Sequence, residues 1–226
     1  MFSESSLLPI IAILPFLGAL VPGVMIRAGR TACASFAAVP TILALVLLGS
    51  LAPGVMDGTV YTAELTWMPQ LGLITLYARF YLSGEDPMGQ FYTYLLLFQG
   101  AMLGIVLSDN ILLLLVFWEL TSLSSFLLIG YWKHLPEGRQ GARMALTVTG
   151  AGGLAMIGGM LILGNIVGSY NLTDILAAGE QIKASDWYTP AVLLILLGAF
   201  TKSAQFPFHF WLPHAMAAPT PVSAYL

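Results

Sequence analysis

Six stretches of this chain, residues 7–26, 32–51, 90–107, 110–132, 144–168 and 188–206, are apolar over the length of a bilayer crossing. A helix of about 17 to 25 residues spans the roughly 30 Å of hydrocarbon in a membrane. Backbone polar groups find no water there, so only helices and closed barrels can cross. Runs this long, without period-two alternation, are helices. The expected fold is therefore all-α, a polytopic transmembrane helix bundle of about six spanning helices. Composition agrees. Of 226 residues, 58% are hydrophobic and only 8% charged, whereas a soluble domain carries about a quarter. The net charge of −3 and the lack of a basic run argue against a nucleic-acid partner. A lone cysteine, Cys33, excludes an internal disulfide framework and reads as apolar filler.

The N-terminus places Arg27 and Arg30 after its apolar run. A signal peptide has its basic residues before, so 7–26 is expected to be a retained first crossing. Residues 172–179 are too short to cross and are expected at the surface. Residues 71–82, LGLITLYARFYL, are the awkward case, because a dozen residues make about 18 Å of helix. Topology sharpens this. Loops rich in Lys and Arg face the cytoplasm, and two have that signature, Arg27/Arg30 and Lys133/Arg139/Arg143. The loop near 52–69, with Asp57 and Glu64 and no base, suits the outside. An even number of crossings must separate the two basic loops, yet the clear spans between them are 32–51, 90–107 and 110–132. One crossing is missing: either the second basic loop breaks the rule, or, the preferred reading, residues 71–82 are the remnant of a full span. The N-terminal hairpin and outside loop then occupy residues 1–70.

Charges inside a span default to functional hypotheses. Glu119 lies about nine residues into 110–132, and Lys202 lies in the last span, within GAFTKSAQFPFHFW. His209 follows two helical turns on. Pro207 removes a backbone donor and clashes with the preceding turn, so a broken helix is expected there. Irregular backbone at membrane depth survives where protein buries it or where it lines a wet cavity. Burial disfavours the charged form of an acid or a base, and pairing the two restores it. A Glu–Lys pair that forms and breaks can therefore act as a proton switch. Each residue also has a plainer reading: Glu119 as a hydrogen-bonded packing acid, Lys202 as a base snorkelling to the interface, His209 as an interfacial histidine. Asp109 suits a turn and helix cap between two spans. Glu85, Asp86 and His134 suit solvated loops. There is no CxxC, HExxH, glycine-rich phosphate loop or nucleophile elbow, so neither a cofactor nor a metal is expected.

Two stretches go further. FWELTSLSSFLLIGYWKH (117–134) and TKSAQFPFHFWLPHAMAAPTPVSAYL (201–226) closely resemble the A subunit of Mrp-type multisubunit Na+/H+ antiporters. That family is related to the antiporter-like subunits of respiratory complex I. YLSGEDPMGQFYTYLLLFQGAMLGIVLSDN (81–110) resembles the segment before the first motif. The resemblance implies a membrane subunit of a Na+/H+ antiporter, multi-pass in the cell inner (plasma) membrane and working with other membrane subunits. It implies a Glu119–Lys202 pair on a discontinuous helix, with His209 continuing a polar chain. It implies inverted five-helix repeats, of which residues 71–226 would be an incomplete first one. The chain departs from the family pattern in lacking a full span before LYARFYL, in having His214 where the family has an acid, and in stopping at Leu226 where the family continues. The last departure reads as a fragment. Two alternatives stay open: part of a pumping subunit of complex I or a membrane hydrogenase, and a structural remnant that carries no ions.

Overall fold

A computed structural model describes residues 11, 14–20, 29–50 and 68–223. Most of the first expected span, Arg27, and the loop holding Asp57 and Glu64 lie outside those residues. The helices are α1 (Arg30–Ser50), α2 (Met68–Tyr81), α3 (Met88–Leu107), α4 (Ile111–Ile129), α5 (Pro136–Val167), α6 (Leu172–Ala177), α7 (Gly179–Lys183), α8 (Tyr188–Lys202), α9 (Trp211–Ala215) and α10 (Thr220–Ser223). Residues 14–20 are also helical. The described residues contain no named strand, only an isolated bridge between Asn110 and Asn171.

Four of these helices, α1, α3, α4 and α5, are long and apolar enough to cross a membrane. The shorter α8 is apolar too. Helix α2 has 14 residues, about 21 Å, and starts three residues earlier than expected. Helix α5 has 32 residues and begins at Pro136 rather than at 144. Proline at the first helical position is pre-set for a helix and gives up a hydrogen bond that would be unmade anyway. The polar turns after it carry the helix beyond its apolar run. Gly168 ends it in the left-handed region, at φ 79°, where glycine bears no Cβ penalty.

The chain forms two compact units. In the first, residues 1–107 with 219–226, α1 packs against α2 and α3. Phe91, Tyr92, Leu95 and Leu96 of α3 are almost fully buried. Thr41 and Gln99 meet in the same core, with Thr41 Oγ1 3.3 Å from Gln99 Oε1.

In the second unit, residues 108–218, α5 is the central helix, packed by α4, α8 and α9. Glycines bring α5 and α8 together. A Cβ on Gly159 would lie 2.8 Å from the Ala191 carbonyl, and one on Gly198 2.7 Å from that of Gly152. The α3–α4 turn is stitched to the segment after α5. Ile111 N–H donates to the Tyr170 carbonyl (2.8 Å) and Leu172 N–H to that of Asp109 (2.5 Å). Asn110 caps α4, its Oδ1 accepting from the N–H groups of Leu112 (3.0 Å) and Leu113 (3.2 Å).

The last apolar run does not stay helical to residue 206. Helix α8 stops at Lys202, because Ala204 turns into the left-handed region at φ 51°. Gln205 N–H then donates back to the Phe200 carbonyl at 2.9 Å, the six-to-one bond of a Schellman end. The Phe206–Pro207 peptide is cis. A short 3-10 turn, Phe208–Phe210, leads into α9. The break expected near Pro207 is present, and it opens directly after Lys202.

Candidate proton-transfer site

The site is built on three neighbouring elements of the second unit. Helix α4 contributes Trp118, Glu119, Thr121 and Ser122, all within its middle third. The last turn of α8 contributes Thr201 and Lys202. Helix α5 contributes two glycines, 152 and 153, that make room for both.

Lys202 Nζ donates to Thr121 Oγ1 and Ser122 Oγ, each at 2.8 Å. It also lies 5.5 Å from the centre of the Trp118 ring, within range of a cation–π attraction. Thr121 Oγ1 donates in turn to the Trp118 carbonyl at 2.7 Å, which leaves its lone pairs facing the ammonium. A half-buried ammonium held by two neutral hydroxyls and an aromatic face is solvated largely by protein instead of water.

Glu119 projects from the same helix toward α5. Its Oε1 is buried without a hydrogen-bond partner. It lies where a Cβ of Gly153 would be, with Glu119 Cδ 2.7 Å from that position. Thr201 fills the equivalent space over Gly152. Glu119 and Lys202 are near enough to interact through their charges. They form no ion pair within 4.0 Å: the ion pair among the described residues is Lys183–Glu180. The direct pairing that the family resemblance implied is thus not made as a contact here.

The break is pinned at one point. Trp211 Nε1 donates to the Thr201 carbonyl at 2.9 Å, and so satisfies one of the carbonyls that a helix end leaves open. His209 lies beyond the break, exposed and stacked on Phe206 with ring centroids 5.8 Å apart. It is not brought against Lys202. His214 is exposed, and its backbone carbonyl closes onto Gly141 of α5. Asp109 caps α6 from the α3–α4 turn, its Oδ1 accepting from Thr173 N–H (3.1 Å) and Oγ1 (2.7 Å).

Sequence reasoning found the acid, the base and the break. It missed Thr121, Ser122, Trp118 and Gly153. The cluster of hydroxyls in TSLSS, one turn from Glu119 inside an apolar run, was the available signal. The glycine pair was legible only as a general packing device.

Fold and site together define a multi-pass helical membrane protein with a half-buried acid and a half-buried base beside a broken helix. Residues 108–226 match the family model described as NADH:quinone oxidoreductase/Mrp antiporter, TM, and the chain belongs to that family. It is 48% identical to the A/B subunit of a probable K(+)/H(+) antiporter of Rhizobium meliloti (strain 1021), over 97% of this chain and 24% of that protein. It is 49% identical to the A subunit of the Na(+)/H(+) antiporter of Bacillus subtilis (strain 168), over 75% of this chain and 24% of that protein. Among solved structures it resembles the Mrp complex from Dietzia sp. DQ12-45-1b, with a TM-score of 0.79 and 30% identity over 96% of this chain and 26% of that one. An archaeal membrane-bound sulfane sulfur reductase shares the fold, with a TM-score of 0.77 at 17% identity over 98% of this chain and 49% of that one. The chain spans about a quarter of the length of the curated relatives it matches. The Rhizobium match runs over 243 positions, more than the 226 residues of the whole chain. That relative therefore carries residues inside the match with no counterpart here.

Proposed function

We propose that the chain is a portion of a membrane subunit of a monovalent cation/proton antiporter, that Glu119 and Lys202 handle the proton, and that His209 passes it on. The reading rests on one observation above others. Lys202 is held by Thr121 and Ser122 while the buried Oε1 of its neighbour Glu119 has no partner. An ionised Glu119 would draw the ammonium across. A protonated Glu119 has no such claim, and the two hydroxyls then take the ammonium instead. Proton uptake by the acid and movement of the base are in this way one event, and they occur beside a helix break whose irregular backbone suits a hydrated path. Beyond the break, His209 is exposed and able to exchange with groups outside this chain. Division of residues 71–226 as an incomplete first inverted repeat belongs to the same reading. So do a plasma-membrane location and partner membrane subunits. The activity is ion movement, with no covalent step.

The relatives' names carry both Na+ and K+, so the test uses both. Everted vesicles containing the chain with its partner subunits are energised, and the collapse of the pH gradient on adding NaCl or KCl is followed. Glu119→Ala and Lys202→Ala are each expected to abolish the cation-dependent collapse. Normal antiport in both variants refutes the pair. A wild-type assembly that moves protons only when an electron donor is supplied favours a redox-driven pump instead.

A further inference from the structure

An open groove of about 720 Å³ runs along the outer face of the first half of α5. Pro136, Arg139 and Arg143 line it from the first turns of α5, Met144, Thr147 and Val148 from the turns that follow, and Phe210 from the 3-10 turn. The order of these residues follows membrane depth. Helix α5 is 32 residues long, about 48 Å against roughly 30 Å of hydrocarbon. Its apolar run occupies 144–168, so the turns from Pro136 to Arg143 stand at the level of the lipid headgroups on the side assigned to the cytoplasm. The α5 lining is cationic where headgroups lie and, Thr147 apart, apolar where acyl chains lie.

The cationic part is unneutralised. Arg139 and Arg143 are four residues apart, on one face of the helix. Arg143 Nε donates to the Arg139 carbonyl at 3.2 Å, which draws its guanidinium back along the helix toward the headgroup level. Neither arginine forms an ion pair among the described residues, and the groove has no acidic lining residue. The first turn of α5 carries one acid, Glu137, which is not among the groove's lining residues. Phe210, 47% exposed, adds to the apolar wall from the 3-10 turn that follows the helix break.

We infer that this groove seats one anionic phospholipid, its phosphate on Arg139 and Arg143 and one acyl chain along Met144, Val148 and Phe210. Guanidinium forks bind phosphate oxygens in pairs, and basic pockets on the cytoplasmic side of a bundle suit acidic headgroups. Choline and ethanolamine lipids carry a cation beside the phosphate and lose that advantage. The occupant would touch the segment holding His209, so it reaches the candidate site through contact with the chain after the break. The inference stands whether or not the chain carries protons.

The test is native mass spectrometry of the full chain released from vesicles of equal phosphatidylglycerol and phosphatidylcholine with matched acyl chains. The wild type should keep one phosphatidylglycerol in preference to phosphatidylcholine. Arg139→Gln with Arg143→Gln should cut that preference roughly thirty-fold, the effect of two bases near an anionic lipid surface. Lys183→Gln, a change to an exposed base elsewhere, should leave it intact. Phe210→Ala should weaken retention of both lipids while keeping the headgroup preference. Equal retention of the two lipids by the wild type overturns the inference, as does an undiminished preference in the double arginine variant. Displacement of the lipid by water-soluble glycerophosphoglycerol also overturns it, since the groove would then be a phosphate site without a tail site. Displacement by an acidic helical peptide would overturn it too, making the groove a protein interface instead.

Discussion

At the scale of the residue, Gly153 bears most directly on the candidate chemistry. Glu119 Oε1 occupies the space a side chain at 153 would need, so an alanine there must push the carboxylate aside. The flexible end of a glutamate yields at little cost, and the protein should still fold. What changes is where the acid sits relative to Lys202. Gly153→Ala is expected to lower antiport about tenfold or more, as a misplaced catalytic group does. Glu119→Asp withdraws the carboxylate by one methylene, and in that background Gly153→Ala should cost far less. Vesicle assays of the two single variants and the double variant give the coupling; equal costs in both backgrounds would mean that Gly153 acts only in packing. The acid and the base were legible because charge is rare in apolar runs. Their surroundings were not, because Thr121 and Ser122 become partners of Lys202 only when α4 and α8 come together, 80 or so residues apart in sequence.

At the scale of the element, the α5–α8 contact rests on backbone approaching backbone. A Cβ on Gly198 would lie 2.6 Å from Met156 Cβ and 2.7 Å from the Gly152 carbonyl, whereas one on Gly150 would meet nothing within 4 Å. Gly198→Ala should therefore destabilise the chain by about 1–3 kcal/mol, the usual range for overpacking. Gly150→Ala should be neutral or slightly stabilising, because alanine is the better helix former. Thermal unfolding in one detergent separates the two, and equal midpoints would contradict the tight interface. Helix existence was readable from the apolar runs, but helix ends were not. The first turns of α5 are polar, so an apolar count misses them, although Pro136 marks the start. The end of α8 turns on Ala204 in a conformation where glycine is the usual residue, so composition carried no stop signal there.

At the scale of the whole molecule, the charge pattern sets an orientation that can be checked within the second unit. The α4–α5 connection carries Lys133 and His134, while Ser169 lies at the opposite end of α5 beside the α3–α4 turn. A cysteine introduced as His134→Cys should react with a membrane-impermeant maleimide in everted vesicles, and one introduced as Ser169→Cys in intact cells. The reverse pattern would invert the topology. The fold class was legible from six bilayer-length runs. The stitching of Asp109 and Ile111 to residues 170–173 has a mechanical consequence. It ties down the Asn110 end of α4. Glu119 sits about 13 Å from that end and Ile129 about 28 Å. A swing of α4 about its tied end would therefore move the carboxylate by roughly half of what it moves the Ile129 end, a lever that turns a large displacement there into a small one at the acid.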